Sequence, residues 1–378
     1  MKIGLVCPYN ITKGGGVNEV VFAMQTELMR RGHSVKIITP LPRDKEVIDV
    51  PNAIFAGSST DFRSPMRTTV QVSASTDIDQ IDEMLAHEQF DILHFHEPWI
   101  PIISRQILQR SSSVNVATFH AKVPETLMSR TVIKVVTPYL KSVLKYLHHL
   151  TAVSDSAAEY AAGLTDDPIT IIPNGIDLDK YQKTVRPKKR TGPRTILYIG
   201  RLEGRKGVKY LLQAYKLLTQ EVDNIQLIIA GDGPGRERLE LLAEDLQLPN
   251  VSFLGYISEE LKLQLLAEAD IYCSPAIYGE SFGIVLLEAM ATDTVIVAGN
   301  NSGYGDVMQE LGAVSIVNPR DEAEFARRLK LLLENDELRA LWQGWATNYV
   351  QQYNWPAVID QYEAFYAEAI KDRNAREA

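Results

Sequence analysis

Residues 1–40 read MKIGLVCPYNITKGGGVNEVVFAMQTELMRRGHSVKIITP, and this stretch carries a complete strand–helix–strand unit. Lys2–Cys7 is a short aliphatic run, the composition of a strand buried on both faces. The loop Lys13-Gly14-Gly15-Gly16 follows. From about Val17 to Arg31 the apolar residues Val20, Val21, Met24, Leu28 and Met29 then recur at helical spacing. Gly32 closes that helix, because glycine enters the left-handed conformation of a helix end without a Cβ clash. The next strand opens at Ser34. A strand returning through a helix to a parallel neighbour is the building block of α/β folds.

Outward from this unit the same style continues. The first half offers further strands at Ser34–Ile38, Ile92–Phe95, Val114–Thr118 and His149–Val153. The second half offers Thr195–Tyr198, Gln226–Ile229, Val251–Phe253, Ile271–Cys273, Val295–Val297 and Val314–Ile316, separated by helical patterns at about Val208–Glu221, Gly235–Leu246, Ser258–Ala267 and Gly283–Ala291. Such alternation predicts an α/β fold of parallel sheets with helices on both faces. At roughly 150 residues per domain, the 378-residue chain holds two doubly wound domains. Asn174-Gly175 and a basic, polar stretch through Pro187 and Pro193 mark the join. The helical pattern after Trp355-Pro356, with Val358, Tyr362, Phe365, Tyr366 and Ile370, is expected to cross back. The expected division is therefore 1–175 with 357–378, and 176–356. Ligands of such sheets bind at the carboxyl ends of the strands, and the expected site is the cleft between the domains.

Composition narrows the function. The formal charge of −9 speaks against a general nucleic-acid binder, which must neutralise phosphates. Two distant cysteines in apolar runs, Cys7 and Cys273, predict a reducing compartment rather than a disulfide framework. No apolar run reaches the roughly 18 residues of a membrane span, and the N-terminus reads as a strand rather than a signal peptide, so the expected location is cytoplasmic.

Chemistry concentrates in the loops after strands. The glycines at 14–16 let backbone N–H groups approach an anion at a helix start, although a flexible turn has the same composition. The Gly-x-Gly-x-x-Gly of dinucleotide binding is absent. In Gly200-Arg201-Leu202-Glu203-Gly204-Arg205-Lys206-Gly207, Arg201 and Lys206 are the pair one would choose to grip a diphosphate, and Arg205 reads as a solvated surface charge. Gly231-Asp232-Gly233-Pro234-Gly235 reads mainly as a tight turn. In Gly279-Glu280-Ser281-Phe282-Gly283-Ile284-Val285-Leu286-Leu287-Glu288, one carboxylate precedes a helix and one lies within it. The amides of Phe282, Gly283 and Ile284 sit at the helix N-terminus, a setting for an anion beside sugar hydroxyls. His94, His96 and His120 end strands and read as hydrogen-bonding groups rather than metal ligands. The pairs Asp77/Asp79 and Asp177/Asp179 read as cap or loop acids. Leu127–Leu150, apolar and punctuated by Arg130, Lys134, Lys141, Lys145, His148 and His149, fits either interfacial membrane docking or a helix packed within the first domain.

Taken together, the glycine loop, Asn174-Gly175-Ile176-Asp177, Arg201 with Lys206, and the Glu280/Glu288 pair resemble the retaining, nucleotide-sugar-dependent glycosyltransferases of family four, and among them the bacterial phosphatidylinositol mannosyltransferases. The resemblance implies the GT-B architecture, two Rossmann-like domains with acceptor side first and donor side second. It implies that Gly15, Gly16, Gly200, Arg201, Lys206, Gly231, Ile257, Lys262, Glu280, Ser281, Phe282, Gly283, Ile284 and Glu288 bind the donor, Glu288 at its ribose. His120, Arg201, Lys206 and Glu280 would be catalytic, and Tyr9, Asn18, His96 and Lys122 would meet the acceptor. No metal and no tightly bound cofactor are implied. The donor would be a nucleoside-diphosphate sugar, GDP-mannose or UDP-glucose.

Two segments depart from that subgroup. Asp77-Ile78-Asp79-Gln80-Ile81-Asp82-Glu83 is acidic where the relatives are polybasic, and Glu125 stands where a lysine would help hold inositol phosphate. The expected function is transfer of mannose or glucose to a lipid acceptor at the inner membrane face, with peripheral contact to an anionic membrane. The alternatives are a soluble transferase acting on a glycan or small molecule, and a sugar-nucleotide-binding protein without turnover.

Overall fold

A computed structural model describes residues 1–12, 14–41, 50–63, 69–74, 78–100, 102–122, 137–183 and 192–377. Lys13, Asp77, Glu125, Pro187 and the 127–136 part of the basic amphipathic stretch lie outside the described residues. The chain divides into two compact units, Met1–Gly175 with Trp355–Ala378, and Ile176–Asn354.

In the first unit, strands β1 (Lys2–Val6), β2 (Ser34–Leu41), β3 (Ala53–Arg63), β4 (Thr69–Ala74), β5 (Ile92–His96), β6 (Val114–Phe119), β7 (His149–Ala152) and β8 (Ile169–Ile171) form one sheet in the order β4-β3-β2-β1-β5-β6-β7-β8. Ile3, Leu5, Ile37, Ile38, Leu93, Phe95, Val116 and Ala117 are buried to the last few per cent, as continuous apolar runs in a two-sided sheet should be. The sheet is not all parallel. β3 and β4 pair antiparallel, Ser58 with Ala74 through Arg63 with Thr69, an edge hairpin that corrects the expectation of parallel strands throughout. The helix Gly16–Arg30 packs on β2, and the helix Trp355–Glu377 covers the sheet with Val358, Ile359, Tyr362, Tyr366 and Ala369. Pro356 occupies the first turn of that helix, where its missing N–H leaves no bond unmade.

In the second unit, β9 (Arg194–Ile199), β10 (Ile225–Ala230), β11 (Val251–Gly255), β12 (Ile271–Ser274), β13 (Val295–Gly299) and β14 (Ile316–Val317) run parallel in the order β11-β10-β9-β12-β13-β14. The last strand begins two residues later than expected, because Val314 belongs to a 3-10 segment, Glu310–Ser315.

Both sheets reverse their order of addition beside their first strand: β1 lies between β2 and β5, and β9 between β10 and β12. At such a switch point the loops leaving the two central strands part to opposite faces and open a crevice. In the second unit those loops are Gly200–Gly207 and the segment from Pro275 to Gly283. In the first they are, among the described residues, 7–12 with 14–15, and the turn after His96.

The amphipathic stretch resolves, where described, as a helix over 137–144. Leu140, Val143 and Leu144 are buried in the first unit while Lys141 and Lys145 face solvent, so this part offers its apolar face to its own core. Among the described residues no helix is long and apolar enough to cross a membrane.

Candidate active site

The second unit assembles its charged residues at the switch point. After β9 the chain makes a 3-10 turn, Gly204–Lys206, ended by Gly207 at φ +73. A Cβ at Gly207 would collide with the carbonyl of Pro275, so glycine alone lets this turn lie against the loop after β12. Lys206 Nζ thereby comes within 2.8 Å of Glu280 Oε1, and Arg205 Nη1 within 2.6 Å of the same oxygen. Arg205 also donates to the Gly279 carbonyl at 3.2 Å and to Glu203 Oε2 at 3.1 Å. Burial works against its charge, but Glu280 and Glu203 outweigh that and hold its pKa above the usual value. Arg205 is therefore no solvated loop charge; it anchors the segment that carries Glu280. Arg201 pairs with Glu203 Oε1 at 2.9 Å and keeps a largely exposed side chain, so it joins the cluster through Glu203 rather than by touching Glu280.

Four residues beyond Glu280 the helix Ile284–Ala291 begins, with Gly283 as its N-cap at φ +107 and no side-chain cap. Its first amide groups thus have no intrahelical acceptor, and the helix dipole adds partial positive charge at that end. Phe282 is buried, its ring edge against Tyr353 at 5.9 Å, while Ser281, Gly283 and Ile284 remain half-exposed. The Glu280–Ser281 backbone passes so close to Gly303 that a Cβ there would strike the Glu280 carbonyl. Tyr304 packs on Gly283 and bonds Ser274 at 2.7 Å, and Asn301 donates to the Ala276 carbonyl at 2.9 Å.

Glu288, just over one turn into the helix, faces different company. It accepts from Tyr181 at 2.7 Å and from Lys262 at 2.9 Å. Ile257 is half-buried five residues before Lys262. Gly200 and Gly231 are explained by packing: Gly231, at φ +126, lies on the Gly200 carbonyl, and Gly200 on the Tyr198 hydroxyl. Asp177 caps the short helix Leu178–Gln182 by accepting from Lys180, as a cap acid should.

The first unit gathers histidines instead. His96 Nδ1 and His120 Nε2 are 2.8 Å apart, and the rings of His94 and His96 stack at 4.4 Å. His94 bonds the Tyr366 hydroxyl at 2.7 Å and Thr118 at 2.6 Å. Burial, reinforced by neighbouring imidazoles, brings the pKa of His94 down to about 3 and that of His96 well below the ordinary value. Burial brings His120 down to about 3, partly opposed by its hydrogen bond to the Asn174 side chain. All three are neutral near pH 7. Glu97, held at φ +51, accepts from the His120 amide at 2.8 Å and from the Trp99 indole. Burial raises its carboxyl to about 8 despite the backbone bonds from His120 and Ala121.

Of the residues expected at an acceptor, Asn18 is engaged within the fold rather than offered to a ligand. It is buried, donates to the Asn10 carbonyl at 2.9 Å and accepts from Cys7. Lys122 pairs with Glu159 at 2.9 Å, and Tyr9 is half-exposed, its carbonyl accepting from Thr39. Gly15 and Gly16 open the first helix, and a Cβ at either meets nothing within 4 Å. Among the described residues no group of His, Cys, Asp and Glu could hold a metal ion, and both cysteines are free and buried.

Residues 14–180 match the family model described as Glycosyltransferase Family 4, and residues 179–347 that of Glycosyl transferases group 1. The chain is 31% identical over 373 residues to the phosphatidyl-myo-inositol mannosyltransferase of Mycobacterium leprae, covering 97% of this chain and 96% of the relative. The chain belongs to the family 4 glycosyltransferases. This glycosyltransferase has the GT-B architecture. Sucrose-phosphate synthase from Thermosynechococcus elongatus superposes with a TM-score of 0.77 at 20% identity, over 98% of this chain and 99% of that one. Anabaena HepE in complex with UDP-glucose does so with 0.72 at 18%, over 98% and 100%. The enzyme is a hexosyltransferase, and retention of anomeric configuration is consistent with its family.

Proposed function

We propose that this glycosyltransferase moves mannose or glucose from a nucleoside-diphosphate sugar, GDP-mannose or UDP-glucose, to a lipid acceptor at the inner face of a membrane. The observation that carries the donor half is the meeting of Lys206 and Arg205 on Glu280, beside an uncapped helix start. Cations and free amides at one place suit the oxygens of a diphosphate, and a carboxylate beside them suits sugar hydroxyls. A neighbour of the same fold carries UDP-glucose. The full-length relative that acts on phosphatidyl-myo-inositol supports a lipid acceptor.

In this reading the sugar–phosphate bond breaks with the nucleoside diphosphate leaving. Charge grows on its oxygens, so Lys206, Arg201 and the Phe282–Ile284 amides bind the transition state more tightly than the bound donor. Glu280 holds the sugar, and the acceptor hydroxyl attacks from the face the phosphate leaves, giving its proton to an oxygen of the departing phosphate. Neutral His120 contacts the sugar as a hydrogen-bonding group, and Gly15 and Gly16 let backbone come close to the diphosphate.

A second reading, a soluble glycan or small-molecule acceptor, is favoured by two observations. Asp79, Asp82 and Glu83 are exposed on the helix Ile78–Glu88, where an anionic lipid would want cations, and Leu140, Val143 and Leu144 face inward. The test supplies labelled GDP-mannose or UDP-glucose with phosphatidylinositol vesicles or with soluble glycans. Label in the lipid phase is the expected result, and label only in the aqueous product assigns the second reading. Lys206→Ala is expected to lower kcat by about 10² to 10³ at saturating donor. Unchanged turnover overturns the donor assignment.

A further inference from the structure

The family resemblance implies that Glu288 meets the ribose of the donor, and what holds it comes from far away in sequence. Tyr181, only 5% exposed, donates its hydroxyl to Glu288 Oε1 at 2.7 Å. Lys262 reaches the same oxygen at 2.9 Å. Both hydrogen bonds that Glu288 accepts from described residues therefore end on Oε1. The donors are themselves fixed. Lys262 pairs with Glu259 at 3.0 Å and lies over the Tyr181 ring at 5.8 Å, and Lys180 pairs with the same Glu259 oxygen at 2.7 Å. Burial works against the charge of Lys262, but Glu288 and Glu259 hold its pKa above the usual value. An ionised carboxylate has two acceptor oxygens. With one oxygen held twice, rotation about the Cγ–Cδ bond is restrained and the other oxygen keeps one direction.

We infer that Tyr181 is a positioning residue. It pins Oε1 of Glu288 so that Oε2 is presented to the ribose hydroxyls of the donor, and the preference of this site for ribonucleotides depends on it. The inference rests on the proposed role of Glu288. Pre-organisation of this kind raises affinity because the geometry is set before the ligand arrives. The effect should therefore follow the ribose hydroxyls and not the phosphates.

The experiment titrates GDP and UDP, and their 2′,3′-dideoxy counterparts, into the full chain and into Tyr181→Phe. For the wild type, the ribonucleotide is expected to bind more tightly than its dideoxy form. Tyr181→Phe should weaken the ribonucleotide about tenfold, the scale of one hydrogen bond to a charged group, and leave the dideoxy form within about twofold. The unchanged dideoxy affinity doubles as proof that the variant is folded. Should Tyr181→Phe fail to fold, Tyr181→His, which keeps a ring donor, is read in its place and should retain part of the preference. In a Glu288→Gln background, Tyr181→Phe should add little. Equal weakening of both forms, or of neither, overturns the role of Tyr181 while leaving Glu288 in place. A wild type that binds both forms equally overturns the ribose role of Glu288 itself, and the two failures are thus distinguishable.

Discussion

Around His96 the first unit stacks three imidazoles that touch each other, a tyrosine and a threonine, all withdrawn from water. Around Glu280 the second unit brings a lysine and an arginine within 2.8 Å of one carboxylate oxygen, at loops that remain partly open. Both clusters sit at the same topological position, the carboxyl ends of the central strands. They differ because burial decides which charges survive. Histidine in a dry sheet loses its proton and becomes a directional hydrogen-bonding group. Around Glu280 the carboxylates of Glu280 and Glu203 outweigh the burial that works against the Arg205 charge. The polar first site is suited to holding hydroxyls, the ionic second one to receiving an anion.

Three experiments sharpen or break this contrast. The largest effect is expected from Gly303→Ala, whose Cβ would collide with the Glu280 carbonyl. Displacing that loop should lower kcat by about 10²-fold, the scale of one lost transition-state donor. Hydrogen exchange in His94–His120 should not change. Exchange that rises equally in both units would erase the distinction.

Next comes pH. His94 and His120 have folded pKa values of about 3 against an ordinary 6.5. The unfolded chain binds protons that the fold refuses, so stability from these groups is full above pH 6.5 and is lost as pH falls toward 3. Glu97, raised to about 8 from 4.5, acts oppositely: its contribution is full below pH 4.5 and declines as pH rises through 8. Exchange protection of the first unit should therefore peak near pH 6.5, since below it the two imidazoles outweigh Glu97 and above it Glu97 alone acts. Replacing His94 with Gln should flatten the acid limb, and an unaltered limb would show that these imidazoles do not govern it. The smallest effect concerns salt. Raising NaCl from about 0.05 to 0.5 M should weaken nucleoside-diphosphate binding several-fold by screening Lys206 and Arg201, while protection around His96 stays constant. Salt-independent binding would contradict an ionic second site.

The strands were legible because buried parallel strands leave continuous apolar runs, as in Ile92–His96 and Val295–Gly299. Ala53–Arg63 was not, since its Gly57-Ser58-Ser59 stretch lacks that signal and its antiparallel partner lies at the sheet edge. Glu280 and Lys206 stood out because charged residues among glycines after a strand have few structural reasons to be there. Arg205 reads in the sequence as a solvated surface charge, and only the approach of Gly279, 74 positions on, shows its purpose. Tyr181 and Gly303 owe their roles to Glu288 and to the Glu280 backbone, partners that no local pattern announces.

The hydroxyl that completes the His94 network belongs to Tyr366, on the helix Trp355–Glu377. A growing polypeptide therefore emerges from the ribosome with strands β1–β8 made first but without the helix that covers them. The Ile176–Asn354 unit is whole once its own residues are out, whereas the amino-terminal half must wait, its histidine slot uncovered, for the last helix to be synthesised. Order of synthesis and order of completion are thus reversed in this enzyme.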